Sequence, residues 1–159
     1  MIIKNIKWLL CLLMLPVLAA CSWEDLPAYE DADITGIQFY YRWASTTDKD
    51  PITGEPMVRE QRLNVTGGDI DDEAGTVVVD VAVPAANNNG YFTQAVRDQV
   101  SQNNIVCMVS ISTAARIAPA DGNKVLGVPD DWTKPHKFIV TAADGTKKEW
   151  TITLTSFTK

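Results

Sequence analysis

The sequence holds one histidine in 159 residues, His136. Metal sites and mechanisms that need two or three imidazoles are thereby excluded within a single chain. Basic charge is also scarce: 14 Lys and Arg stand against 20 Asp and Glu, and no basic cluster is longer than the pair Lys147-Lys148. A nucleic-acid binder needs a basic face to displace counterions from phosphate, so that partner is excluded too. There is no Gly-rich phosphate loop, and no serine stands in a nucleophile-elbow context. The length suits one domain of ordinary size.

What is present begins at the N-terminus. Lys4 and Lys7 precede an apolar run over residues 8–18, too short to span a bilayer as a mature helix and of the right length for a secretory leader. The run ends in Leu18-Ala19-Ala20-Cys21, which resembles the lipobox of bacterial lipoproteins. The resemblance implies cleavage after residue 20 and acylation of the Cys21 thiol. The mature chain is then 139 residues (159 − 20), with 12 basic against 20 acidic groups, a formal −8. Cys11 leaves with the leader and Cys21 is acylated, so Cys107 stands alone and no internal disulfide can form. More than one acyl chain gives stable anchoring where a single chain would be marginal.

Residues 21–33 carry five carboxylates, Pro27 and no basic group, the composition of an extended tether. Fully stretched it reaches roughly 40 Å. Acidic residues directly behind a lipidated cysteine are similar to the surface-export signal of Bacteroidetes lipoproteins, with Trp23 departing from the pattern. The expected location is the outer membrane, facing the cell surface.

From residue 34 the period becomes two. Ile37, Phe39, Tyr41 and Trp43 fall on one side, with Gln38, Tyr40 and Arg42 on the other. Residues 44–56 carry loop chemistry, residues 57–65 read as an edge strand, and residues 66–75 as a turn rich in Gly and Asp. Val77, Val79, Val81 and Val83 line one side of a strand that Pro84 ends. Residues 92–102 form the one plausible helix, behind a Thr93 cap. Residues 105–112 are a further strand in which Cys107 is a small buried hydrophobe rather than a reactive thiol. A final hairpin brings Phe138, Val140 and Ala142 opposite Trp150, Ile152 and Leu154 across the turn at Asp144-Gly145. Six to seven short strands and one short helix predict an immunoglobulin-like antiparallel β-sandwich over residues 34–159.

Three segments carry a family resemblance: Ile34-Thr35-Gly36-Ile37, then Ala115-Arg116-Ile117-Ala118-Pro119, then residues 134–146 with Val140-Thr141-Ala142-Ala143-Asp144-Gly145-Thr146. Together they resemble the Ig-like domains of Bacteroidetes cell-surface lipoproteins, in which an "ITGF" start, an "A-x-IxP" segment and a "VTAxDGT" hairpin recur. The resemblance covers residues 34–157 and implies fold and location, not activity. The sequence departs from it with a longer insertion at residues 87–104.

Candidate sites are few. Asp69-Ile70-Asp71-Asp72-Glu73 could gather oxygens around calcium, but its spacing does not match an EF-hand loop and a solvated acidic turn is the simpler reading. Tyr40 on the polar side of the first strand, and Tyr91 and Trp132 in turn or loop segments, are candidate ligand-binding rings able to stack on a sugar or anchor a partner. The alternative is that Trp132 caps the sandwich end and Tyr91 packs on the helix. His136, at a strand start, is structural. No cofactor and no metal are expected, and no catalytic residues are assigned. Charge is polarised, net −10 over residues 21–83 and net +2 over residues 84–159. The expectation is a non-enzymatic lipid-anchored domain serving adhesion, ligand capture or envelope assembly. The alternative is a glycan-binding accessory of a surface polysaccharide-uptake system. The expected partners are the membrane, through the lipid, and a glycan or another envelope protein.

Overall fold

The computed structural model describes residues 28–87, 90–120 and 122–159. The leader and Cys21 lie outside the described residues. Among the described residues, nine strands form two facing sheets: β1 (Ile34–Lys49), β2 (Pro56–Arg62), β3 (Asn64–Asp71), β4 (Thr76–Ala82), β5 (Ile105–Ile111), β6 (Arg116–Pro119), β7 (Pro129–Asp130), β8 (His136–Thr141) and β9 (Lys147–Thr158). One sheet has the order β2-β1-β5-β7 and the other β3-β4-β9-β8-β6. This is the expected sandwich with more strands. All pairs are antiparallel except β4 with β9, which run parallel.

The alternation read from the sequence sets the two inner faces. Phe39 and Tyr41 from β1, Val77, Val79 and Val81 from β4, Phe138 and Val140 from β8, and Trp150 and Ile152 from β9 are all buried. Cys107 is buried among them, and burial pushes its thiol far above the ordinary range, which leaves it inert. The segment before β1 is fastened to the body. Ala32 is buried, its carbonyl accepts the Trp150 indole N–H at 2.9 Å, and Asp33 pairs with Lys148 at 2.6 Å.

The expected edge strand over residues 57–65 is two strands. Leu63, 1% exposed, is the pivot at which the chain leaves β2 in one sheet and enters β3 in the other. The expected turn over residues 66–75 is mostly β3, because Gly67 and Gly68 let the strand run close against β4. A Cβ on Gly68 would run into the Val78 carbonyl oxygen. The turn proper is residues 72–75. There Gly75 sits at φ +66°, its carbonyl accepts Thr151 N at 2.9 Å, and a Cβ would meet the Glu149 carbonyl oxygen. Both the dihedral and the contact require glycine. Gly75→Ala is expected to cost about 1–3 kcal/mol, read as a lower urea midpoint; an unchanged midpoint would contradict this account of the turn.

The helix α1 (Gln94–Gln99) is shorter than expected and begins at Thr93, whose hydroxyl accepts Val96 N at 3.4 Å. A 3-10 turn at Gln102–Asn104 follows. Phe92 and Val100 flank the helix and are both buried, which packs the helix against the core. Among the described residues, no helix is long and apolar enough to cross a membrane.

Candidate functional site

β1 and β2 pair without interruption from Tyr40 opposite Arg62 to Ala44 opposite Val58, and within that register Trp43 faces Arg59. The ladder then becomes irregular until Lys49 meets Pro56. Ser45 stabilises the irregular stretch, its hydroxyl accepting the amides of Thr47 and Asp48 at 3.3 and 3.0 Å. The result is an indentation at the rim of the sandwich.

Trp43 forms its base. The indole is half-buried, stacks on Tyr41 at 5.7 Å between centroids and lies 5.9 Å from Phe92. Arg59, as its cross-strand partner, shares its side of the sheet. A cation there needs compensation. Asp48 Oδ2 accepts Nη2 at 3.0 Å, and the guanidinium lies 3.6 Å above the Tyr91 ring. Its Nε is buried and has no acceptor among the described residues.

Tyr91 itself comes from the turn before α1 and is 59% exposed. Two clefts meet at the Tyr91–Arg59 stack, one of about 230 Å³ toward Ser45 and Gln99, the other of about 420 Å³ toward Gln61 and Asn87. Trp43, Arg59, Gly90 and Tyr91 belong to both. This arrangement can stack a planar or ring-shaped ligand and hydrogen-bond its rim.

Of the three candidate rings, only Tyr91 lies here. Tyr40 is half-buried, with its hydroxyl donating to Gln38 Oε1 at 2.5 Å. Trp132 is not an exposed ring: it is 3% exposed, packed edge-on against Phe39 at 5.2 Å and beside His136 at 4.3 Å. The reason is a tertiary clamp. Trp132 N donates to the Gln102 backbone carbonyl at 3.0 Å, and Gln102 Nε2 donates to the Trp132 carbonyl at 2.8 Å, which folds the loop inward.

His136 is buried, with Nε2 bonded to the Asp131 carbonyl at 2.7 Å. Nearby Asp130 is shielded from solvent, which pushes its carboxyl up, but the ammonium of Lys124 at 3.0 Å and the Asp131 amide outweigh this and hold it below the usual carboxylate range. Asp69 and Asp71 belong to β3, and Asp71 accepts the Ala74 amide at 2.9 Å. Among the described residues, no three His, Cys, Asp or Glu side chains come together as a metal-ligating group. Arg59 is not among the residues the sequence singles out, and Trp43 is there one of the period-two residues on the Phe39 and Tyr41 side of the first strand. The available signal was a charged residue alternating onto the side of β2 that meets Trp43.

A crystal structure from Bacteroides fragilis NCTC 9343, of a chain described as a "putative secreted protein", is similar to this fold with a TM-score of 0.74. The two chains are 48% identical over 84% of this chain and 100% of that one. No curated protein matches the chain. The DUF5018-related family matches residues 34–153, which takes in nearly the whole sandwich. By that match the chain belongs to the DUF5018-related family.

Proposed function

We propose that the chain is a lipid-anchored, extracytoplasmic Ig-like domain that captures a ligand without catalysing a reaction, and that the Trp43–Arg59–Tyr91 cleft is where it does so. The lipid on Cys21 holds the domain at the outer membrane, and the acidic stretch behind it turns the domain toward the cell surface. Leu18-Ala19-Ala20-Cys21 supports the anchor, and the similarity to a chain described as a "putative secreted protein" supports export.

The observation that carries the capture reading is the coincidence of three features at one place. The β1–β2 ladder breaks, a tyrosine is left 59% exposed, and Arg59 buries an N–H with no acceptor among the described residues. An unsatisfied buried donor costs about 1–3 kcal/mol. Violations of local folding rules that coincide in this way mark functional positions.

A thermal-shift screen of the full chain in detergent micelles, against sugars, nucleotides, amino acids and short peptides, tests the reading. A ligand near 100 times its Kd adds about 2.7 kcal/mol, enough to raise the Tm by several degrees in a domain of this size. At least one class is expected to do so for the wild type and not for Tyr91→Ala. Stabilisation by no class, or stabilisation indifferent to Tyr91, would contradict the reading.

A further inference from the structure

We infer that the cleft takes a neutral oligosaccharide, rather than a single sugar, an anion or an apolar chain; the inference rests on the capture reading above. Its first support is shape. Two concavities of about 230 and 420 Å³ share Trp43, Arg59, Gly90 and Tyr91, so a ligand that fills both runs past the Tyr91–Arg59 stack. That calls for at least two linked rings.

The second support is charge. Arg59 is the cation of the cleft, and Asp48 compensates it at 3.0 Å. Arg42, on the opposite side of β1, is taken by Glu60 at 2.5 Å. Glu60 lines the larger cleft, so a carboxylate borders any ligand there and disfavours an anion. Among the described residues no second cation lines either cleft to draw a phosphate or a uronic acid.

The third is the pattern of polar groups. Ser45 Oγ donates to Asp48 Oδ2 at 3.1 Å, and the same carboxylate oxygen accepts from Arg59. The polar side chains that line the clefts beside Arg59 include Thr47, Thr93 and Gln99 in one and Gln61 in the other, hydroxyls and amides that both donate and accept. Vicinal hydroxyls, each at once donor and acceptor, match them, while the C–H faces of a pyranose fit the aromatic rings. An apolar chain would bury the same polar groups without partners, at a cost that opposes binding.

The test is calorimetric titration of the full chain in detergent micelles with neutral tetrasaccharides of the gluco, manno, galacto and xylo series, their monosaccharides, and oligogalacturonate as the anionic arm. One neutral series is expected to bind, with the tetrasaccharide about tenfold or more tighter than its monosaccharide. Tyr91→Ala is expected to weaken it by about tenfold or more, as for a tyrosine anchor at the centre of a site. Arg59→Lys, which keeps the charge and loses the planar fork, is expected to weaken it likewise. Tyr29→Ala, an equally exposed tyrosine outside both clefts, should leave binding unchanged.

The inference is overturned if no neutral series binds, if the monosaccharide binds as tightly, or if only oligogalacturonate binds. A Tyr91-dependent hit of another class in the thermal screen would then remove the saccharide and keep the capture site. No hit in either experiment removes both.

Discussion

Trp150→Ala is expected to destabilise the domain by about 3–5 kcal/mol, the range for emptying a large aromatic site in a core. Against the 5–15 kcal/mol that holds a typical domain, this is a large share of the total. Trp150 is fully buried on β9, opposite Phe138 of β8, in the central part of the five-stranded sheet. Its indole N–H, at 2.9 Å from the Ala32 carbonyl, also ties the chain entering the sandwich to β9. Lys148, 4.7 Å from the ring and 2.6 Å from Asp33, reinforces the same junction.

Trp150→Phe separates the two contributions. It keeps most of the ring volume and leaves the Ala32 carbonyl without its partner, for an expected loss of about 1–3 kcal/mol. Urea denaturation of the full chain followed by circular dichroism reads both variants. A loss below about 1 kcal/mol for alanine would mean that the residue is not the packing centre described.

Much of the fold is legible in the sequence because the two inner faces are written as strict alternation. Val77, Val79 and Val81, and the pairing of Phe138 with Trp150, follow from period two and a turn at Asp144-Gly145. Cys107 is legible from the same period along β5, although Val106 beside it is buried as well. What is not legible depends on contacts distant in sequence. Trp132 sits among polar turn residues that look solvated; its burial comes from Phe39 and from the clamp with Gln102, neither of which leaves a local trace. β3 hides behind Gly67, Gly68 and four carboxylates at 69–73, which read as a turn until its pairing with β4 supplies the reason for the glycines.

The candidate site divides along the same line. Tyr91 can be named from the sequence, because an aromatic after a Gly-containing turn is a familiar way to expose a ring. Arg59 and Asp48 cannot. Their meeting depends on the register that sets Trp43 against Arg59 and on the irregularity between Ala44 and Lys49, and both emerge only when β1 and β2 pair. Residues 44–56, read as loop, prove to be the end of β1 followed by a tight turn. Asp50 accepts the Thr53 and Ile52 amides at 2.8 and 2.9 Å, and those donors, the Thr53 amide first, hold its carboxyl below the usual range.

The second large effect is expected at Cys21, in the proposed anchor. Each methylene of an acyl chain buried in a bilayer contributes about 0.8 kcal/mol, so one chain binds reversibly and two hold stably. The Cys21 thiol is the side-chain nucleophile proposed to carry them. In Cys21→Ala, the chain should lose acylation and leave the membrane fraction almost completely, while the fold, whose described residues begin at 28, stays intact. Retention of an intact urea midpoint in the variant would show that anchoring and folding are separate properties.

The most direct measurement is incorporation of labelled palmitate in cells expressing the wild type or Cys21→Ala. The account predicts label on the wild-type chain and none on the variant. Equal label on both, or none on the wild type, would contradict it.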